Sequence, residues 1–166
     1  KYPNDTAIYG SSLGGIYASA IFSYGMNRPK VYPSFSRVKA FIGTASGGPL
    51  HEVLTYSTTS DVKKQRKLRF KTGEYESLSD YQHQLRGAIH IDPLEYASPS
   101  ENVLLFISTQ DSGVPARSQI KLAKAYQAKT EKIQWFGHAY AIAITGLTKA
   151  GKISNFIKKA GFPLED

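Results

Sequence analysis

The apolar positions along this chain change period several times, and the changes delimit the elements. Thr6–Gly10 (TAIYG) is a short β-prone run that ends on glycine. Immediately after it, Leu13, Ile16, Tyr17, Ala20 and Ile21 fall at i, i+3, i+4, i+7 and i+8, the spacing of one helix face. Gly25, Asn27 and Pro29 stop that helix. Val38–Thr44 (VKAFIGT) reads as a second strand, closed by Gly47-Gly48-Pro49. Asn102–Ser108 (NVLLFIS) has adjacent apolar residues instead of strict alternation, which predicts a parallel strand covered on both faces. Pro115 then suits a first helical turn, and the helix it opens is expected to run to about Ala128. Lys132–Phe136 (KIQWF) predicts a last short strand. Ile153, Phe156, Ile157 and Ala160 form the stripe of a C-terminal helix closed by Gly161 and Pro163.

Between the second and third predicted strands, Leu50 to Ser100 is polar and basic and has no comparable strand. It contains helix-like stretches such as Leu78–Leu85 and is expected to be an insertion or cap over the sheet. The order strand, helix, strand, insertion, strand, helix, strand, helix is an α/β alternation. It predicts a mostly parallel sheet with helices on both faces.

Composition narrows the chemistry. The 166 residues suffice for one domain with a core. The chain has no cysteine, which excludes thiolate catalysis, disulfides and Cys-based metal sites. There is no uninterrupted apolar stretch of the roughly 18 residues that a membrane helix needs, and no targeting signal is visible, which leaves the compartment unassigned. The net charge is +8, with the densest run at Lys63, Lys64, Arg66, Lys67, Arg69 and Lys71. That run is read as a solvated face; a nucleic-acid reader would interleave aromatics with its basic residues. No phosphate-binding G-x-x-x-x-G-K-[ST] loop occurs.

Gly10-Ser11-Ser12-Leu13-Gly14 matches G-x-S-x-G. The pentapeptide alone is common, but here it follows a strand and opens a helix, the context that a strained, serine-exposing turn requires. The alternative is a tight connection in which Ser12 caps a helix. A serine hydroxyl needs a base, usually a histidine oriented by a carboxylate. Enzymes built on this turn carry the groups in the order serine, acid, histidine. Asp111 lies three residues past Ser108, in a loop at the carboxyl end of a strand, and His138 follows the last predicted strand beside Gly137. Glu52, after the second strand, is the reserve acid. His83 and His90 lie seven apart without carboxylates at metal-ligand spacing, so neither metal nor cofactor is expected.

The segments YGSSLGG and VLLFISTQDSGVPARSQIKLAKAY…WFGHAYAI resemble the C-terminal, catalytic half of an α/β-hydrolase. The similarity is to the prolyl-oligopeptidase and dienelactone-hydrolase-like esterase branches, where a D-x-x-V-P loop precedes a glutamine-bearing helix and the histidine lies in a G-H turn. It covers roughly residues 6–48 and 102–161 and leaves out 50–100. It implies Ser12 as nucleophile, Asp111 as orienting acid, His138 as base and the Leu13 backbone N–H as one oxyanion-hole donor. Ser108 departs from the glycine common before the acid loop.

A complete member has further strands before the nucleophile strand, one of whose loops supplies the second oxyanion donor. The chain therefore reads as a single partial domain, residues 1–166, with 50–100 as cap. An N-terminal partner chain or a homo-oligomer is expected to cover the exposed edge. The implied reaction is cleavage of a small-molecule ester by an acyl-enzyme route, favoured over a peptide substrate. The rivals are a serine peptidase of prolyl-oligopeptidase type, a non-catalytic binding protein on the same fold, and a basic nucleic-acid or surface binder.

Overall fold

The structure, a computed structural model, describes residues 5–134 and 137–162. Its centre is a four-stranded sheet of β1 (Thr6–Ser11), β2 (Val38–Thr44), β3 (Val103–Ser108) and β4 (Lys129–Ile133), in the order β1-β2-β3-β4. Every neighbouring pair is parallel. Because all strands run the same way, their carboxyl ends share one edge of the sheet, where open α/β folds place their sites. Ser11 pairs with Thr44 at that edge, and Ser108 with Ile133.

Residue alternation along β2 and β3 builds a core on each face. Phe41, Val103, Leu105 and Ile107 point to one side, where they pack with Ala18 and Phe22 of α1 (Ser12–Asn27) and Leu122, Ala123 and Tyr126 of α5 (Ala116–Tyr126). Ala40, Ile42 and Phe106 point to the other and meet Ala141 of α6 (His138–Thr148) and Phe156 of α7 (Ala150–Lys159). Helices on both faces explain why β3 is apolar at consecutive positions.

Residues 50–100 form α2 (Leu50–Tyr56), α3 (Ser60–Lys71) and α4 (Leu78–Ala88). Leu50 and Val53 of α2 pack with Ile16 and Val114 in a third buried cluster, so this helix is packed against α1 and the acid loop. The basic run lies on α3, which has no buried residue. α4 contains the predicted Leu78–Leu85 stretch and opens on Ser77, whose side chain accepts from the Asp80 N–H.

Two elements differ from the sequence reading. The last strand occupies Lys129–Ile133, not Lys132–Phe136; Trp135 and Phe136 lie outside the described residues, as does Pro163. As an edge strand its residues are mostly solvated and only Ile133 is buried, so the apolar residues that suggested a strand lie just past it. The chain end also holds two helices, α6 and α7, where the stripe indicated one. No described helix is long and apolar enough to cross a membrane.

Tyr126 anchors α5 to α1. Its ring is fully buried against Phe22 and Phe41. Its hydroxyl lies 3.0 Å from Ser19 Oγ and donates to the Ser19 carbonyl at 2.9 Å. Burial pushes the phenol pKa up to about 12. Tyr126→Phe leaves Ser19 short of its buried partner. It is expected to lower unfolding stability by about 1–2 kcal/mol, read as a lower urea midpoint at unchanged slope; an unchanged midpoint contradicts this anchoring role.

Candidate active site

Ser12 is the first residue of α1 and has a φ of +53°. That left-handed conformation costs a non-glycine residue about 1–2 kcal/mol. It ends the strand and starts the helix within one residue. Two glycines make room for it. A Cβ on Gly10 would lie 2.5 Å from the Gly14 carbonyl oxygen and 2.7 Å from Gly15 Cα. A Cβ on Gly15 would lie 1.8 Å from Ser46 Oγ. Gly14, the second glycine of the pentapeptide, has open space at its Cβ position. The close packing therefore comes from Gly10 and Gly15.

The structure brings the three predicted side chains together. Ser12 Oγ lies 2.7 Å from His138 Nε2, and His138 Nδ1 lies 2.8 Å from Asp111 Oδ2. Each follows the carboxyl end of a different strand: Ser12 after β1, Asp111 after β3 and His138 after β4. The Asp111 side chain is fully buried, whereas the imidazole is one-fifth exposed. The imidazole thus keeps partial access to solvent while the carboxylate is kept away from water.

The carboxylate is held on both oxygens. Oδ1 accepts the Gly113 N–H at 2.7 Å and the Val114 N–H at 3.0 Å. Oδ2 accepts from His138 and from Gln119 Nε2, the latter at 3.1 Å. Gln119 is fully buried on α5. It also donates to the Val114 carbonyl at 2.7 Å and accepts the Ser108 N–H at 2.9 Å. It therefore joins the end of β3, the acid and the start of α5. The sequence signal for it was the glutamine of the helix after the D-x-x-V-P loop; its contacts were not legible.

Gly113 is a further residue that sequence reading missed. A Cβ there would lie 2.7 Å from His138 Cγ and 3.0 Å from Nδ1, so the imidazole rests directly on this backbone. Only spatial proximity reveals this, because residues 113 and 138 are far apart in sequence.

The remaining candidates do not join the cluster. The Glu52 carboxylate takes its hydrogen bond from Lys121 Nζ, and Asp111 is the carboxylate on the imidazole. Burial lowers the pKa of His51 beside it. His83 is exposed on α4, and His90 lies beyond the end of that helix, so the two share no helix face. No group of three or more metal-ligating side chains occurs among the described residues. Leu13, whose N–H lies in the first turn of α1 where backbone donors lack helical partners, is half-exposed.

No protein-family model matches the chain, and no curated protein matches it either. Solved structures do. The acylaminoacyl peptidase of Pyrococcus horikoshii matches over 93% of this chain and 24% of its own, at TM-score 0.64 and 15% identity. Acetyl xylan esterase 1 from Thermoanaerobacterium matches over 96% of this chain and 46% of its own, at TM-score 0.62 and 14% identity. Esterase 2 of Thermogutta terrifontis, phosphoramylated by tabun, matches over 96% and 56%, at TM-score 0.56 and 14% identity. The chain thus spans about a quarter to somewhat over half of the proteins it matches. Those proteins are α/β-hydrolase-fold enzymes, and the fold of this chain is the α/β-hydrolase fold.

Proposed function

We propose that this chain is the catalytic part of a serine hydrolase that cleaves carboxylic esters through an acyl-enzyme. The observation that carries the reading is the continuous hydrogen-bond line from Ser12 Oγ through the His138 imidazole to the buried Asp111. It starts from a serine whose left-handed backbone lifts it off the strand.

In this reading His138 Nε2 takes the proton of Ser12 Oγ as that oxygen attacks the ester carbonyl. The Leu13 N–H, at the positive end of α1, donates to the developing oxyanion. His138 then gives the proton to the leaving alkoxide, which departs as alcohol. A water molecule, deprotonated by the same nitrogen, attacks the acyl carbonyl; as the acid leaves, His138 returns that proton to Ser12 Oγ and restores the hydroxyl. Asp111 accepts the Nδ1–H throughout, which fixes the tautomer and stabilises the imidazolium. No metal or cofactor takes part.

Two features of the comparisons support the reading. Several matched structures are esterases, of which this chain spans 44–58%, and one of them carries a tabun adduct. A peptidase of the acylaminoacyl type is the second reading, and its support is the higher TM-scores of 0.64–0.67 to that enzyme. Rates on p-nitrophenyl acetate and on an acyl-peptide anilide separate the two. The ester reading expects the larger kcat/KM on the acetate, and the reverse order favours the peptidase.

The proposal extends to a partner. β1 pairs only with β2 among the described residues. Tyr9 on β1 is about half exposed, at 46%. An N-terminal partner chain or a second copy is proposed to cover this edge, since an apolar parallel edge is otherwise open to pairing. Sedimentation velocity should find the chain associated, and Tyr9→Asp on β1 should release it; a wild-type monomer at all concentrations contradicts the proposal.

For the chemistry, Ser12→Ala is expected to abolish turnover and Asp111→Asn to lower kcat by about 10⁴-fold. Wild-type rates in Ser12→Ala overturn the reading. Gly113→Ala places a methyl against the imidazole, and a displacement of that size is expected to lower kcat about 10- to 100-fold. Full activity in Gly113→Ala shows that His138 does not work from the position described.

A further inference from the structure

Residues 50–100 reach the candidate site through the acid loop: Leu50 and Val53 pack with Val114, and Thr58 hydrogen-bonds Ser112. The Thr58 N–H donates to the Ser112 carbonyl at 2.8 Å. The Thr58 hydroxyl lies 2.6 Å from Ser112 Oγ and 3.2 Å from the same carbonyl, and it donates to either oxygen. Ser112 stands between Asp111 and Gly113. The residue before it supplies the carboxylate, and the residue after it both donates to that carboxylate and supports the imidazole. A hold on Ser112 therefore acts on both partners of the His138–Asp111 hydrogen bond.

Thr58 is itself held in place. It follows α2, whose last carbonyls have no helical donors. Arg66 of α3 reaches back and donates from Nη1 to the carbonyls of Leu54 at 3.2 Å, Thr55 at 2.8 Å and Ser57 at 3.1 Å. The cation also suits the negative end of the α2 dipole. Ser57 Oγ lies 3.0 Å from Thr59 Oγ1 and accepts the Thr59 N–H at 3.3 Å, which shapes the turn around Thr58. α3 has no buried residue, so Arg66 is a principal polar tie between it and the rest of the fold.

We infer that Thr58, with Arg66 behind it, is a positioning element for the Asp111–His138 pair, so that residues 50–100 contribute to the site's support. The inference rests on the proposed roles of Ser12, Asp111 and His138. Thr58 is exposed and its backbone bond to Ser112 survives substitution. Loss of the hydroxyl therefore loosens the loop without unfolding it. Misplacement of a catalytic group by a fraction of an ångström is enough to slow a reaction severalfold.

The test uses Thr58→Val, which removes only the hydroxyl, and Thr58→Ser, which restores it. Two readouts are followed: the rate constant for labelling Ser12 with a fluorophosphonate, and the downfield proton resonance of His138 Nδ1–H. Thr58→Val is expected to slow labelling about 3- to 10-fold and to broaden the resonance, while Thr58→Ser recovers both. Arg66→Met is expected to act in the same direction, with recovery in Arg66→Lys, whose ammonium also donates to several carbonyls. Wild-type labelling and an unchanged resonance in Thr58→Val overturn the inference, as does a Thr58→Ser protein as slow as Thr58→Val. If wild type is not labelled at Ser12, the nucleophile reading fails. The resonance then decides the positioning claim alone, since it reports the His138–Asp111 bond whether or not Ser12 reacts.

Discussion

The site depends on the close approach of β1 to α1 at Gly10 and Gly15. With no Cβ at either position, the helix can begin one residue after the strand ends, and that turn forces Ser12 to a φ of +53°. The strain holds the hydroxyl above the carboxyl edge of the sheet. It is offset by the packing of α1, whose Ile16, Ala18, Ala20 and Phe22 are buried. A serine relaxed into an ordinary helical turn would lie elsewhere, and His138 would have no hydroxyl within reach.

The second constraint is the buried carboxylate. Water cannot solvate it, so its charge must be met by donors, and the chain supplies two backbone N–H groups, Gln119 and the imidazole. Those same donors define the loop from Ser108 to Pro115. The acid is therefore oriented by the groups that make its burial tolerable, and the imidazole is oriented by the acid and by the Gly113 backbone beneath it.

Much of this was legible in the sequence because period and punctuation carry it. β1, β2 and β3 were readable from apolar runs closed by glycine or polar residues, and Ser12, Asp111 and His138 from their order and their loops. What the sequence concealed depends on tertiary contact. β4 is an edge strand whose KTEKI residues need no apolar pattern, so the neighbouring Trp135 and Phe136 drew the boundary too late. The second glycine of the pentapeptide is Gly14, yet the packing glycine is Gly15, because Ser46 approaches from another strand's loop. The role of Gly113 and the contact of Thr58 with Ser112 join residues tens of positions apart and leave no local signature.

The central claim is that Ser12 is the nucleophile activated by His138. Peptide mapping after treatment with a fluorophosphonate tests it most directly. The account predicts a single adduct on Ser12 in the wild-type chain and none in His138→Ala. An adduct on another residue, or labelling of Ser12 at the same rate without His138, would contradict it.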